Sequence, residues 1–176
     1  MAKKGDARPS RTQRKRDASS DKIYEIEICL AETDARIWRR FEVRSNITAA
    51  ELHDIIQIVM SWHNCHMHQF LDLKENRYAR RYDELGADSN DEVTEECETV
   101  LRDVIPKEGL RLLYEYDLVD SWTHGLEVVA VGPPKPGVRY PRCVAGEREC
   151  PPEDCGGVFG YYELLEILTN PKREDY

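Results

Sequence analysis

Apolar and polar residues alternate near the start of the chain. Apolar side chains occupy every second position between residues 24 and 30, which is the pattern of a strand with one face in a core. After a short polar turn, residues 36–43 supply a second strand. Two such segments joined by a turn predict an N-terminal β-hairpin.

The pattern then changes to a helical period. Thr48 and Glu51 have the spacing of a capping box, in which each side chain bonds a backbone N–H group at the start of a helix. Apolar residues follow at helical spacing, at Leu52, Ile55, Ile56, Val59 and Met60. This spacing predicts an amphipathic helix that packs on the hairpin and turns Gln57 towards water.

Weaker patterns in the rest of the chain predict further strands and two more helices. We expect a strand or hairpin arm at residues 67–78, a short helix at 99–105, strands at 110–118 and 122–131, and a final helix at 161–169. Because the strands are dispersed among few helices without a repeated βαβ rhythm, the predicted class is α+β with a largely antiparallel sheet.

Two segments carry little periodicity. Residues 83–98 include eight acidic residues and no basic ones, which predicts a solvated loop. Residues 132–157 are rich in proline and glycine, so we expect them to wrap the surface. The final helix should then bury one stripe, formed by Tyr161, Leu164, Leu165 and Leu168.

Charge divides the chain into two parts. The net charge is −9, but residues 1–16 hold seven lysines and arginines against one aspartate, a net of +6 that leaves −15 for the remainder. We expect a disordered basic tail at residues 1–21 and a single domain at residues 22–176. The tail either makes weak contact with nucleic acid or is only a solvated leader, and the acidic body disfavours a nucleic-acid groove.

Hydropathy bears on location. No apolar run approaches the roughly 20 residues that a membrane helix needs, and the N-terminus has no apolar region typical of a signal peptide. We therefore expect a cytoplasmic protein with no membrane partner. Its six cysteines should be mostly reduced.

Histidines and carboxylates supply the candidate catalytic groups. His66 and His68 are two residues apart, so we expect them to share a strand face. A cluster of His68, Asp120, His124 and Glu153 could hold a metal or pair an imidazole with a carboxylate for acid–base work. The alternative is a buried hydrogen-bonded network that anchors the long final loop.

Four further residues are candidates for binding. Trp122 points to the same strand face as His124, and Asp117 lies at the entrance of that strand. Arg39 could bind a carboxylate or phosphate, or could pair with the surplus acids of the body. Asp154 belongs to the acidic, glycine-containing final loop, where a rigid sheet would support a binding site.

The cysteines suggest a separate zinc site. Cys143, Cys150 and Cys155 follow a C-x6-C-x4-C spacing, and His124 could complete a tetrahedral set. Structural zinc would suit a loop with little core of its own. The spacing differs from the shorter one of ordinary zinc fingers, so free thiols are the alternative.

Ordered motifs along the chain resemble one family. They are Ile37-Trp38-Arg39-Arg40, Leu52-His53-Asp54-Ile55-Ile56-Gln57, Trp62, His66-Met67-His68-Gln69-Phe70, Tyr114-Glu115-Tyr116-Asp117, Asp120-Ser121-Trp122-Thr123-His124, Cys150-Pro151-Pro152-Glu153-Asp154-Cys155-Gly156-Gly157 and Gly160-Tyr161. Over residues 22–170 this order resembles the plasmid pRiA4b ORF-3-like family. The resemblance implies plasmid or chromosomal proteins, some of them passengers of transposable elements, without an established activity.

The chain departs from the family pattern at two positions. Ser61 and Val119 stand where the resemblance leads us to expect glycine. A valine adopts positive φ with difficulty, so we expect the turn before Asp120 to be reshaped.

Two functional hypotheses follow. The dinucleotide-binding, Walker A, nucleophile-elbow and H-E-x-x-H signatures do not occur in the sequence. This favours a non-catalytic binding or accessory module of plasmid or mobile-element biology, with an unknown protein or small molecule as partner. The alternative is a small hydrolase or metal-dependent enzyme that uses the cluster near His124.

Overall fold

The computed structural model describes residues 21–80, 93–170 and 172. The predicted basic tail and most of the acidic run lie outside the described residues. The described elements, in chain order, are β1 Ile23–Leu30, β2 Trp38–Arg44, α1 Ala49–Met60, β3 His68–Leu71, β4 Arg77–Ala79, β5 Val93–Glu95, α2 Leu101–Val104, β6 Arg111–Tyr116, β7 Trp122–Gly132, β8 Arg142–Glu147 and α3 Gly157–Thr169. None of these helices is long and apolar enough to cross a membrane.

The strands join into one sheet in the order β5-β4-β3-β6-β7-β1-β2-β8. Neighbouring strands are antiparallel except β4 and β5, which are parallel. The predicted hairpin forms, and it pairs Ile26 with Phe41. The strands predicted at residues 110–118 and 122–131 also pair with each other, as β6 and β7. The α+β class with a largely antiparallel sheet is confirmed.

Helix α1 begins with the predicted capping box. The backbone N–H of Glu51 donates to Thr48 Oγ1 at 3.1 Å, and the backbone N–H of Thr48 donates to Glu51 Oε2 at 2.8 Å. Leu52, Ile56 and Met60 are fully buried in the same core cluster as the inward residues of β1 and β2. The helix therefore packs on the hairpin as predicted, because its apolar stripe meets theirs.

The C-terminal third departs from the sequence prediction. Strand β8 lies inside the segment predicted only to wrap the surface, and it extends the sheet beyond β2. Most of its side chains are exposed, so it has no apolar alternation to reveal it. Helix α3 starts at Gly157, and two members of its predicted buried stripe, Leu165 and Leu168, are exposed.

Candidate functional site

All five histidines of the chain lie in one part of the structure, around the tyrosines of β6. His53 and His68 lie within ring-contact distance of Tyr114, and so does His124 on the neighbouring strand. The rings of His66 and Trp62 contact Tyr116. His63 joins the group through Glu153, which also accepts a hydrogen bond from Tyr116.

Four residues in this region close a ring of hydrogen bonds, three through their side chains and Asn64 through both its backbone and its side chain. The Asn64 backbone N–H donates to Gln57 Oε1 at 2.9 Å, so the Gln57 amide nitrogen faces Tyr114 Oη and donates to it at 2.9 Å. The Tyr114 hydroxyl then donates to His53 Nδ1 at 2.8 Å. That leaves the proton of His53 on Nε2, which donates to Asn64 Oδ1 at 2.8 Å. This pattern of contacts is that of a neutral His53 with its proton on Nε2.

His53 stacks face to face on His68. The ring centroids are 3.4 Å apart and the planes differ by 3°. Nε2 of His68 lies 2.7 Å from Glu96 Oε2, and both side chains are only 6% exposed. A carboxylate bound to one nitrogen orients an imidazole, so the arrangement has the geometry of an acid–base dyad held against a neutral aromatic ring.

A cavity of about 330 Å³ opens beside this stack. Both stacked imidazoles and Asn64 line it, and the charged lining residues are Asp54, Arg80, Glu95 and Glu96. Three carboxylates against one guanidinium favour a positively charged occupant. We call this cavity the histidine pocket.

Burial controls ionisation around the pocket. Burial, reinforced by the nearby His68, lowers the pKa of His53, which favours the neutral form of this ring. Burial also raises the pKa of Tyr114 well above its ordinary value, although Gln57 opposes the shift. The hydroxyl therefore keeps the proton that it donates to His53.

Residues 61–67 connect α1 to β3 and form the edge of this region. Glu153, in the loop after β8, binds this connection: its Oε2 accepts from the backbone N–H and Nδ1 of His63, and its Oε1 accepts from Tyr116 at 2.6 Å. Burial of Glu153 opposes its ionisation, but the hydrogen bonds from Tyr116 and His63 outweigh it, so its pKa is lowered. Glu153 therefore fastens the final loop to the sheet as an anion.

A second group of polar residues lies beyond Tyr116. His66 Nε2 is 2.9 Å from Asp154 Oδ1, and His66 Nδ1 is 3.6 Å from Asp117 Oδ2. One potential ligand atom from each of the three residues lies within 4.8 Å of the others, and within the described part of the chain this is the one group of three or more His, Cys, Asp or Glu residues with that property. We call these three residues the loop cluster.

The predicted cluster of His68, Asp120, His124 and Glu153 does not assemble. His68 pairs with Glu96, Asp120 accepts from the Gly156 backbone N–H, and Glu153 binds His63 and Tyr116. The parity argument for His66 and His68 is also wrong, because β3 begins at His68 and His66 belongs to the connection before it. Asp120 and Glu153 instead follow the alternative prediction, because both hydrogen-bond between the final loop and the rest of the domain.

His124 and Trp122 do share one strand face, but that face is the core. Both are fully buried, and His124 packs against Tyr114 and Trp62. Burial lowers the pKa of His124 to about 4, although backbone groups of Tyr114 and Trp122 partly offset it. Neither ring nitrogen has a well-formed hydrogen bond. The side chains of these two residues are therefore not accessible to a ligand, as the predicted catalytic and binding roles would require.

The predicted zinc ligands are likewise separated. Cys143 is exposed on edge strand β8 opposite Phe41, Cys150 packs against Met60 inside the loop, and Cys155 lies beside α3. His124 is enclosed on β7. The unforeseen strand β8 separates Cys143 from the other two thiols, so the tetrahedral set does not form.

Arg39 has a structural position. It donates to the backbone carbonyl oxygens of Val59 and Glu147 and lies 3.2 Å from Cys150 Sγ. The guanidinium thus joins the end of α1 to β8, and the predicted carboxylate or phosphate ligand has no place there. Its neighbour Arg40 pairs with an acid of the body, Glu27.

Comparisons with known proteins identify the family. A sequence model of the plasmid pRiA4b ORF-3-like family matches residues 22–176. The chain belongs to this family. It is 27% identical over 152 residues to the uncharacterized protein y4hQ of Sinorhizobium fredii, across 86% of this chain and 76% of that protein. It also resembles the crystal structure of MM3350 from Methanosarcina mazei Go1, a protein of unknown function, with 33% identity, a TM-score of 0.77, and coverage of 89% and 85% of the two chains.

The structure gives physical reasons for the glycines of the pRiA4b ORF-3-like pattern. Ser61 closes α1 at φ 62°, a left-handed conformation that favours glycine. At Val119 the structure avoids this conformation, and the positive φ values lie at Asp117 and Ser121. Gly157 is required, because an added Cβ would lie 2.6 Å from the Asp120 carbonyl oxygen.

Sequence reasoning missed most of the pocket. His53 and Gln57 lie one helical turn apart beside the apolar stripe of α1 and both are buried, so the prediction that Gln57 faces water is wrong. Two polar residues at i and i+4 beside an apolar stripe are a detectable signal of a buried polar pair. The prediction that Glu96 lies in a solvated loop is wrong, because Glu96 is buried and pairs with His68, which is distant in the sequence.

Proposed function

We propose that this protein is a binding module whose histidine pocket takes a small, positively charged organic molecule, such as an amine or a guanidine. The carboxylates of Asp54, Glu95 and Glu96 line the cavity together with Arg80, and this excess of negative charge is the observation that carries the proposal. The cavity volume of about 330 Å³ lies at the lower end of small-molecule sites, which run from about 300 to 1,000 Å³.

Preorganisation supports binding at this place. The closed ring of hydrogen bonds holds His53 and Asn64 in fixed orientations, and His68 is fixed by its stack and by Glu96. A ligand therefore meets side chains that are already ordered, so little conformational entropy is lost on binding.

The first test uses small cations as probes. Agmatine, putrescine and choline are titrated into the purified full-length protein, with succinate as the anionic counterpart, and binding is measured by calorimetry and by the shift of the thermal midpoint. We expect at least one cation to bind and succinate not to bind. Glu96→Gln should weaken cation binding by tenfold or more, since it removes a lining charge.

The matched control is Glu98→Gln. Glu98 is exposed and lies outside the pocket lining, so the same change of charge there should leave cation binding within twofold of the parent protein. The proposal fails if none of the three cations binds, or if Glu96→Gln and Glu98→Gln behave alike. Circular dichroism establishes that each variant is folded.

A second candidate function is acid–base catalysis by His68 and Glu96. The observation that favours it is the 2.7 Å contact between His68 Nε2 and Glu96 Oε2 beside the cavity. Hydrolysis of p-nitrophenyl acetate as a function of pH tests this candidate, with His68→Gln compared against His63→Gln. Loss of turnover in the first variant alone would favour an enzyme, and equal rates in both would exclude the dyad as its base.

A further inference from the structure

The loop cluster joins three separate segments of the chain. His66 lies in the connection between α1 and β3, Asp117 follows β6, and Asp154 lies in the loop before α3. His66 Nε2 is a buried atom without a well-formed hydrogen bond, although Asp154 Oδ1 is 2.9 Å away. A ring nitrogen beside a carboxylate, with no proton well placed between them, is a pair of electron donors that a cation would satisfy.

The two carboxylates are held differently. Asp117 is 8% exposed, and its Oδ1 accepts from the backbone N–H groups of Val119 and Asp120, which leaves Oδ2 towards His66. Asp154 is 75% exposed, so its carboxylate can adjust and the site stays open to water. One fixed carboxylate and one adjustable carboxylate suit an ion that exchanges with solvent.

Charge points the same way. Asp117, Asp154 and Glu153 contact two imidazoles, those of His63 and His66. Even with both imidazoles protonated, this group of five side chains keeps a negative charge, and with neutral imidazoles the excess is larger. A divalent cation would remove the repulsion between the carboxylates.

We propose that His66, Asp117 and Asp154 bind one divalent transition-metal ion, Zn²⁺ or Mn²⁺, with water at the remaining positions. Donor atoms around such an ion lie about 3.0–3.5 Å apart when the metal–ligand bonds are about 2.1 Å, and the cluster approaches this spacing with ligand atoms within 4.8 Å. An imidazole together with carboxylates favours these ions over Ca²⁺ and Mg²⁺, which take oxygen ligands. The bound ion would clamp the final loop to the end of β6.

The test begins with the purified full-length protein after removal of metals by a chelator. Zn²⁺, Mn²⁺ and Ca²⁺ are titrated separately, with the bound stoichiometry measured by mass spectrometry and the thermal midpoint recorded at each concentration. We expect one Zn²⁺ or Mn²⁺ per chain, a thermal midpoint that rises with its concentration, and no comparable effect of Ca²⁺. Asp154→Asn and His66→Gln should each weaken binding at least tenfold.

Asp103→Asn is the matched control. Asp103 is exposed on α2 and does not belong to the loop cluster, so this substitution removes the same charge outside the proposed site. It should bind the metal as the parent protein does. Cys65→Ser separates the alternatives, since Cys65 is an exposed thiol next to His66. Binding that survives Asp154→Asn but is lost in Cys65→Ser overturns the proposal, as does the absence of binding above the level of a protein without the cluster. Cation binding in the histidine pocket should not change in Asp154→Asn, so the two proposals fail separately.

Discussion

The histidine pocket and the loop cluster place imidazole beside carboxylate in two different ways. In the pocket, His68 and Glu96 are each 6% exposed, and His68 lies on strand β3 against a neighbour held by a closed hydrogen-bond ring. In the loop cluster, all three residues lie in connections between elements, and two of them, Asp117 and Asp154, have positive φ values. The same residue types thus occur once on regular structure and once on loops.

This difference separates two physical tasks. A buried imidazole–carboxylate pair has lost its water, so it is favourable only while both partners stay in place. It therefore suits the orientation of a bound molecule. An open group of donors keeps water and can exchange it for an ion. Stability, acid and substitution should accordingly affect the two regions unequally.

The largest difference is expected from removal of one imidazole. His68→Leu leaves the buried Glu96 carboxylate without its partner, which should lower the free energy of unfolding by about 3–5 kcal/mol. His63→Leu removes an imidazole that is 80% exposed, and an exposed pair contributes about 0–1 kcal/mol. Urea denaturation of the two variants measures both values.

The double variant His68→Leu/Glu96→Leu sharpens this result. It removes both members of the buried pair, so no unpaired carboxylate remains and most of the lost stability should return. If the double variant is as unstable as His68→Leu alone, then packing rather than the unpaired carboxylate accounts for the loss.

Acid should act on the core residue His124 and on the loop residue Glu153 in separate pH ranges. The pKa of His124 is about 4 in the folded protein and about 6.5 when unfolded, so the unfolded state binds the proton first. Stability that is complete above pH 6.5 is then lost as the pH falls towards 4, by about 2 kcal/mol between pH 7 and 5. Glu153 has a lowered pKa, so its contribution is lost only below about pH 4.5.

Urea denaturation at a series of pH values tests this separation. His124→Leu should flatten the profile between pH 6.5 and 4 and should not reduce stability at pH 7, because the buried ring nitrogens lack well-formed hydrogen bonds. Glu153→Gln should lower the stability at neutral pH and should flatten the profile only at pH values below the range of His124. An unchanged slope in His124→Leu would show that other groups, such as His53, cause the acid loss.

How far the sequence reaches also differs between regions. Helix α1 and strands β1 and β2 were predictable because their signals are local: an alternating period, a helical period and a capping box. Strand β8 was not, since its partner β2 is about 100 residues away and its side chains are mostly exposed. The same limit applies to Glu96, which is an ordinary acidic residue until the fold brings it to His68.

A smaller effect is expected when the final loop is loosened. Glu153→Gln places an amide where a carboxylate accepts from Tyr116 and from His63, which should cost about 1–2 kcal/mol. The loop should then open more often, and trypsin should cut faster after the exposed Arg148. Faster cleavage in Glu98→Gln as well would mean that a general loss of charge, not this attachment, controls the loop.

The smallest change in stability is expected at Ser61 and Asn64. Both residues have a left-handed backbone conformation and lie in the connection between α1 and β3. Ser61 has φ 62° and caps α1 through its backbone N–H, whereas Asn64 has φ 58° and its side chain closes the ring with His53. Ser61→Gly should relieve the conformational cost and raise stability by about 0.5–1 kcal/mol. Asn64→Gly gains the same relief but leaves His53 Nε2 without its partner, so it should lower stability by about 1 kcal/mol. Urea denaturation of both variants measures the difference, and a gain of stability in Asn64→Gly would show that the ring does not hold the pocket together.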